Sequence, residues 1–222
     1  MSASPVSGVS GRTVLLAGAT SAAGLAAAQA LASAGAHVVA TGRSADRLAE
    51  LEAAVPGIRT ELCDVTDADD VAALASRIGP LDGLFPLVGG WRGGGGLAGQ
   101  SDDDYRALEA SFTAIRVTSR AFDAALRESD AGRFAVVSST AVNRPLAGGA
   151  NYAAVKAASE AWARAVAHGF AKSARDAEEP LRAASVVFRA KALDSAALAA
   201  AILRLWDADA GELNDRIIDL AS

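Results

Sequence analysis

The 222 residues are 51% hydrophobic but only 5% aromatic, a mixture rich in Ala, Val and Leu that suits helices on a buried sheet better than a β-sandwich. The net charge of −5 comes without a basic run, which argues against general nucleic-acid binding. No apolar stretch reaches membrane-spanning length, and the single cysteine, Cys63, permits no intrachain disulfide, so a soluble, cytoplasmic protein with no membrane partner is expected.

Residues 1–10 are rich in Ser, Gly and Pro without a basic or apolar region, and are expected to be a flexible N-terminal segment rather than a signal peptide. Residues 11–222 are expected to form one domain. Residues 13–17 read as a buried strand, followed by the turn Gly18-Ala19-Thr20-Ser21-Ala22-Ala23-Gly24 and an Ala/Leu helix to about Ser33. Residues 37–41 are the next strand, so the unit opens a right-handed βαβ crossover. Glycines in such a turn let the backbone approach a pyrophosphate, and the helix start offers N–H donors and a positive dipole end. Gly18, Thr20, Ser21, Ala22, Ala23 and Gly24 are therefore the candidate phosphate contacts.

The pattern then repeats. Helices are expected at 44–54, with Ser44 as N-cap, and at 67–78, and strands at 58–63 and 81–88. Ser101 caps a long helix whose first turn carries Asp102, Asp103 and Asp104, acids that offset the helix dipole. A fifth strand is expected at 133–138, a long helix at 149–173, a sixth strand at 182–188, a helix at 195–206 and a final strand at 215–220. The fold class is α/β: a doubly wound, Rossmann-type parallel sheet of about seven strands with helices on both faces, in a single domain.

The stretch with most chemistry is Asn151-Tyr152-Ala153-Ala154-Val155-Lys156. Four residues apart on a helix, Tyr152 and Lys156 share a face. Tyrosine alone is a poor base, with an unperturbed pKa of about 10, and a fixed cation nearby favours its phenolate.

Gly18 to Gly24 after strand one, Ser139 after strand five and Tyr152/Lys156 on the next helix together resemble the short-chain dehydrogenase/reductase family. Ser139 precedes Tyr152 by thirteen residues, the family's usual separation. The resemblance implies an oxidoreductase moving hydride between a nicotinamide and a carbonyl or alcohol. Tyr152 would be the acid/base, Lys156 would hold the nicotinamide ribose, and Ser139 would bond the reacting oxygen. Asp64-Val65 resembles the family's adenine-holding pair. Strand two ends in Thr41-Gly42-Arg43-Ser44 with no carboxylate. Arg43, helped by Thr20, Ser21 or Ser44, then favours NADP(H) over NAD(H).

The chain also departs from that pattern. Ala22 stands for the middle glycine, Leu87-Val88-Gly89-Gly90 for Asn-Asn-Ala-Gly, and Ser111 for the asparagine of a proton relay. Gly89 and Gly90 remain cofactor contacts by position. The Pro-Gly and Thr after strand six are replaced by residues 188–193, so the substrate-covering lid is expected to be reduced. Gly93 to Gly96 either closes over substrate or is a surface loop.

Val88 to Gly94 resembles the strand-four loop of dihydropteridine reductases, with Trp91 as a stacking surface or hydrophobic cover. A reductase of a planar heterocycle is thus one alternative, and a non-catalytic NADP(H)-binding or sensing protein another. No metal site is expected from His37, His168 or Cys63. A homodimer or homotetramer through the two long helices is implied by the family and by the small residues Ala157, Ala158, Ala161 and Ala165.

Overall fold

Parallel strands covered on both faces need apolar residues at nearly every position. β1 (Thr13–Ala17), β4 (Gly83–Pro86), β5 (Arg133–Ser139) and β6 (Ala184–Ala190) are buried almost throughout. In the computed structural model, which describes residues 8–220, these four are the centre of a seven-stranded sheet. β2 (His37–Gly42), β3 (Arg59–Leu62) and β7 (Arg216–Asp219) complete it. The order is β3-β2-β1-β4-β5-β6-β7, and every pairing is parallel.

Alternation along β1 divides the core. Val14 and Leu16 join a cluster with Leu31, Phe188 and Ile202, while Leu15 and Ala17 join Phe122, Phe134 and Phe170 on the other face. On the first face α1 (Ala22–Ser33) packs against α6 (Ser195–Arg204). On the second, α4 (Asp102–Glu128) packs against α5 (Ala150–Asp176) and α3 (Ala68–Ile78). α2 (Ala45–Ala54) lies beside β2 and β3, and the short α7 (Ala210–Leu213), which the sequence pattern did not signal, beside β6. Ser44 and Ser101 cap their helices as expected, accepting from Arg47 N at 3.4 Å and Asp104 N at 3.1 Å.

Two strand boundaries differ in ways that matter for the site. β5 continues through Ser139, and β6 starts and ends two residues later than its apolar run indicates, pairing Ser139 with Ala190. The chain therefore leaves β6 at Lys191, and four residues connect it to α6, whose start Asp194 caps by accepting from Ala197 N at 2.7 Å. β4 ends at Pro86, which has no N–H to continue the ladder.

Of the expected flexible segment, residues 1–7 lie outside the described residues. Residues 8–10 form a turn in which Val9 is fully buried in the core. No helix among the described residues is long and apolar enough to cross a membrane.

Candidate active site

In a doubly wound sheet the crevice forms at the carboxyl ends of the strands, where the strand order reverses. Here that point lies between β1 and β4. A cavity of about 1060 Å³ opens there, at the upper end of the usual ligand-site range. Among the candidate residues, Ser21, Ala22, Ala23, Gly89, Gly90, Trp91, Ser139, Tyr152 and Lys156 all line it. Gly18, Thr20, Gly24, Arg43, Ser44, Asp64, Val65 and Ser111 do not line it.

The turn after β1 is built for close approach. Gly18 has φ +83°, and its N–H donates to Thr41 Oγ1 at 3.0 Å. A Cβ at Gly24 would lie 2.0 Å from the Ala19 carbonyl oxygen, so only glycine fits under this turn. Ser21 Oγ accepts from Gly24 N at 3.2 Å and caps α1. Ala22 is the first residue of α1 and is exposed. The N–H groups of Ala22 and Ala23 have no acceptor among the described residues. They line the cavity as donors for an anion. These residues fit the pyrophosphate of a dinucleotide.

Further along the strand ends, the Arg43 guanidinium lies 3.9 Å from Asp64 and is largely exposed. Asp64 accepts from the Thr66 hydroxyl at 2.7 Å and from Thr66 N at 3.0 Å. Those bonds, with Arg43, hold its carboxyl below the usual range. Val65 is buried. Arg47, which the sequence reading did not single out, donates to the Thr20 carbonyl, so two guanidiniums lie close to this end of the crevice.

At the other end the two serines of β5 are told apart by their hydrogen bonds. The Ser138 hydroxyl donates to Glu160 Oε1 at 2.6 Å and is fully engaged. Ser139 Oγ accepts from Ala141 N at 3.2 Å, which leaves its own proton to offer to an oxygen in the cavity. Tyr152 stands in the first turns of α5. Lys156 lies one turn on, 8% exposed, with Nζ donating to the Val137 carbonyl at 2.8 Å and 5.7 Å from the Tyr152 ring centroid. Burial pulls the Lys156 pKa down to about 8. Ser111 is buried, and its hydroxyl donates to the Leu108 carbonyl at 2.6 Å within α4. Its oxygen keeps lone pairs that can accept a further bond.

Lys156 carries a pH prediction. Its ammonium is intact below about pH 8 and is lost above it. In the ribose-holding role that the resemblance implies, kcat/KM for the nicotinamide cofactor then falls about tenfold per unit beyond pH 8. Lys156→Arg, charged throughout, moves that limb above pH 10. A profile flat to pH 10 in the wild type, or a limb unmoved in Lys156→Arg, would assign it elsewhere.

Two further arrangements had no sequence signal. Glu160, on the same face of α5 as Lys156, accepts from Ser138 and from Arg189 of β6, the latter through bonds of 3.1 and 2.7 Å. Gln100 donates from Nε2 to the carbonyls of Gly94 and Gly148 at 3.1 and 3.0 Å, and its Oε1 accepts from Asn151 N at 3.2 Å. Gly94 N also donates to Gly148 O at 2.7 Å, and a Cβ on Gly93 would fall 2.4 Å from that oxygen. The four-glycine stretch is thus fastened to the start of α5. Trp91 is 66% exposed at the cavity mouth.

Among the described residues no group of three His, Cys, Asp or Glu side chains is placed to hold a metal. His168 Nε2 lies 3.6 Å from Asp215 Oδ2. Arg164 reaches the same carboxylate at 3.3 Å, and both side chains are exposed. Cys63 is buried, which pushes its thiol up to about 11 and keeps it from acting as a nucleophile at neutral pH.

Residues 12–174 match the family model described as short chain dehydrogenase. Dehydrogenase/reductase SDR family member 6 of Danio rerio is 40% identical over 79 residues, 36% of this chain and 32% of that protein. The 2-keto-3-deoxy-L-fuconate dehydrogenase of Xanthomonas campestris pv. campestris is 41% identical over 85 residues, 38% of this chain and 28% of that protein. The match thus spans about a third of the length of these curated relatives. Among solved structures, a metagenomic short-chain oxidoreductase in complex with NADP superposes with TM-score 0.80 at 24% identity, covering 97% of this chain and 100% of that one. A short chain dehydrogenase from Salmonella enterica serovar Typhi gives 0.84 at 19% identity, covering 98% and 99%.

Proposed function

Because the chain belongs to the short-chain dehydrogenase family, we propose that it is an NADP(H)-dependent carbonyl reductase or alcohol dehydrogenase with Tyr152 as acid/base. One observation carries this reading. Ser139 with a proton to offer, Tyr152, and a buried Lys156 face one cavity that also reaches the unpaired N–H groups of Ala22 and Ala23.

The bound dinucleotide supplies the hydride. The Ala22 and Ala23 N–H groups would hold its pyrophosphate, with Gly89 and Gly90 giving room beside it and Lys156 in reach of its ribose. Ser139 donates to the carbonyl oxygen and stabilises the charge developing there. Tyr152 gives that oxygen its proton and is re-protonated from solvent, and in the reverse direction it takes the proton back. Lys156, pinned to the Val137 carbonyl, is a fixed positive charge that favours the tyrosinate left behind.

Preference for NADP(H) rests on Arg43 and the absence of a carboxylate at the end of β2. A charge-assisted hydrogen bond contributes about 1.5–3 kcal/mol, so Arg43→Ala lowers kcat/KM for NADPH by roughly ten- to a hundredfold while changing NADH little. Steady-state kinetics with both cofactors checks this, and equal losses would remove Arg43 from the 2′-phosphate.

A reductase of a planar heterocycle is the second reading, favoured by the exposed indole of Trp91 beside Gly89 and Gly90. Rates of NADPH and NADH oxidation with a panel of carbonyls and a quinonoid dihydropterin decide between them. Tight NADPH binding without turnover of any member would leave a sensing role instead. We infer a homodimer through the outer faces of α4 and α5, where Ala157, Ala161 and Ala165 are exposed.

A further inference from the structure

We propose that the substrate is an amphiphilic anion, a keto acid with an apolar body, whose carboxylate is taken by Arg144 and Lys191 while its carbonyl reaches Ser139 and Tyr152. The proposal deepens the hydride-transfer reading above and rests on it.

The chain as a whole is acidic, with 26 carboxylates against 21 Lys and Arg. Its cavity has the opposite sign. Among the described residues three cations line it, Arg144, Lys156 and Lys191, and no carboxylate does. Lys156 is buried and engaged with Val137, but Arg144 and Lys191 are exposed on two different loops at the mouth. Neither has an ion pair or a side-chain hydrogen bond among the described residues.

Neighbouring arginines have carboxylate partners. Arg189, two residues before Lys191, is paired with Glu160, and Arg92, beside Trp91, lies 3.8 Å from Asp104. A cleft that concentrates one sign of charge attracts the opposite ion. The dinucleotide phosphates already have the N–H donors of the turn after β1. Arg144 instead lies on the segment between Ser139 and Tyr152, where the reacting carbonyl must sit.

The same mouth is also apolar. Trp91, Leu146 and Leu193 line it with 66%, 68% and 44% exposure, a surface that an aryl or alkyl body would cover. With only four residues between β6 and α6, no helix from that connection shields it. The reaction balances as keto acid plus NADPH plus one proton giving hydroxy acid plus NADP⁺. The carbonyl carbon gains hydride, the carbonyl oxygen gains the Tyr152 proton, and the carboxylate is unchanged.

The test uses two stable keto acids of different spacing, 2-oxo-4-phenylbutanoate and 4-oxo-4-phenylbutanoate, each beside its ethyl ester. Binding is measured by calorimetry on the NADPH-loaded Tyr152→Phe protein, and reduction on the wild type. At least one acid is expected to bind roughly tenfold or more tightly than its ester. That ratio is expected to fall towards one in Arg144→Ala/Lys191→Ala and to shrink as salt is raised. Equal affinity of acid and ester, a ratio unchanged in the double variant, or no binding by either acid would overturn the proposal. A high ratio without NADPH oxidation would leave the anion site standing and sink the hydride-transfer reading instead.

Discussion

Tyr152→Phe is expected to cut kcat/KM for NADPH-linked carbonyl reduction by about 10²–10⁴, the usual contribution of a positioned general acid. The ring stays and only the hydroxyl goes, so the helix, the cavity and the Lys156–Val137 bond at 2.8 Å should persist. Ser139 still offers its proton and the buried cation is still in place, which leaves some stabilisation of the developing oxyanion and a residual rate. The alternative proton source, water, lacks both a fixed position and a charge partner. NADPH affinity, read by calorimetry, should change far less than the rate, because the turn after β1 and the residues after β4 are untouched. Equal rates in the two proteins would remove Tyr152 from the chemistry.

What could be read from the chain alone followed from short-range rules. The turn after β1 was legible because Gly18 and Gly24 bracket a strand-to-helix junction, and the fold needs a left-handed residue and a missing Cβ there. Tyr152 and Lys156 were picked out because helical spacing puts them on one face and because the glycine turn and Ser139 stand before them in the order of the resembled family. The seven-stranded parallel sheet followed from alternating apolar strands and capped helices.

What escaped depends on contacts between distant segments. Ser138 and Glu160 are 22 residues apart and Glu160 and Arg189 are 29 apart. Taken singly, each reads as an ordinary polar residue of its element. Gln100 reaches carbonyls and an amide as far as 51 residues away. No local pattern distinguishes a glutamine that fastens a loop from one in solvent. The two-residue offset of β6 had a similar cause. Its apolar run begins early, but pairing with β5 carries the strand on to Ala190. Arg189 thereby lies within the sheet and Lys191 at the cavity mouth. Ser111 stands where the resemblance puts a relay residue, and the partner of its proton, the Leu108 carbonyl, could not be read from position alone.

Glu160→Ala is expected to destabilise the fold by roughly 3–5 kcal/mol, the penalty for leaving a buried charge without its partner. The Glu160 and Arg189 side chains are only 10% and 12% exposed. Glu160 raises the Arg189 pKa through their hydrogen bond, and even without it a guanidinium keeps its proton at every working pH, so Arg189 cannot escape the cost by losing its charge. Ser138 would lose its acceptor as well. For a chain of this length the loss corresponds to a fall in Tm of about 10 °C, by the usual 2–4 °C per kcal/mol. Urea denaturation of the variant beside wild type reads it directly, and a loss under about 1 kcal/mol would show that water replaces the carboxylate at no great cost. The double variant Glu160→Leu/Arg189→Met separates charge from packing. Well-packed apolar residues can replace a buried pair with little loss, so its stability should return most of the way to wild type. If it does, the pair's worth lies in holding β5, β6 and α5 in register beneath Ser139 and Lys156, and the double variant should then show a lower kcat at near-normal stability.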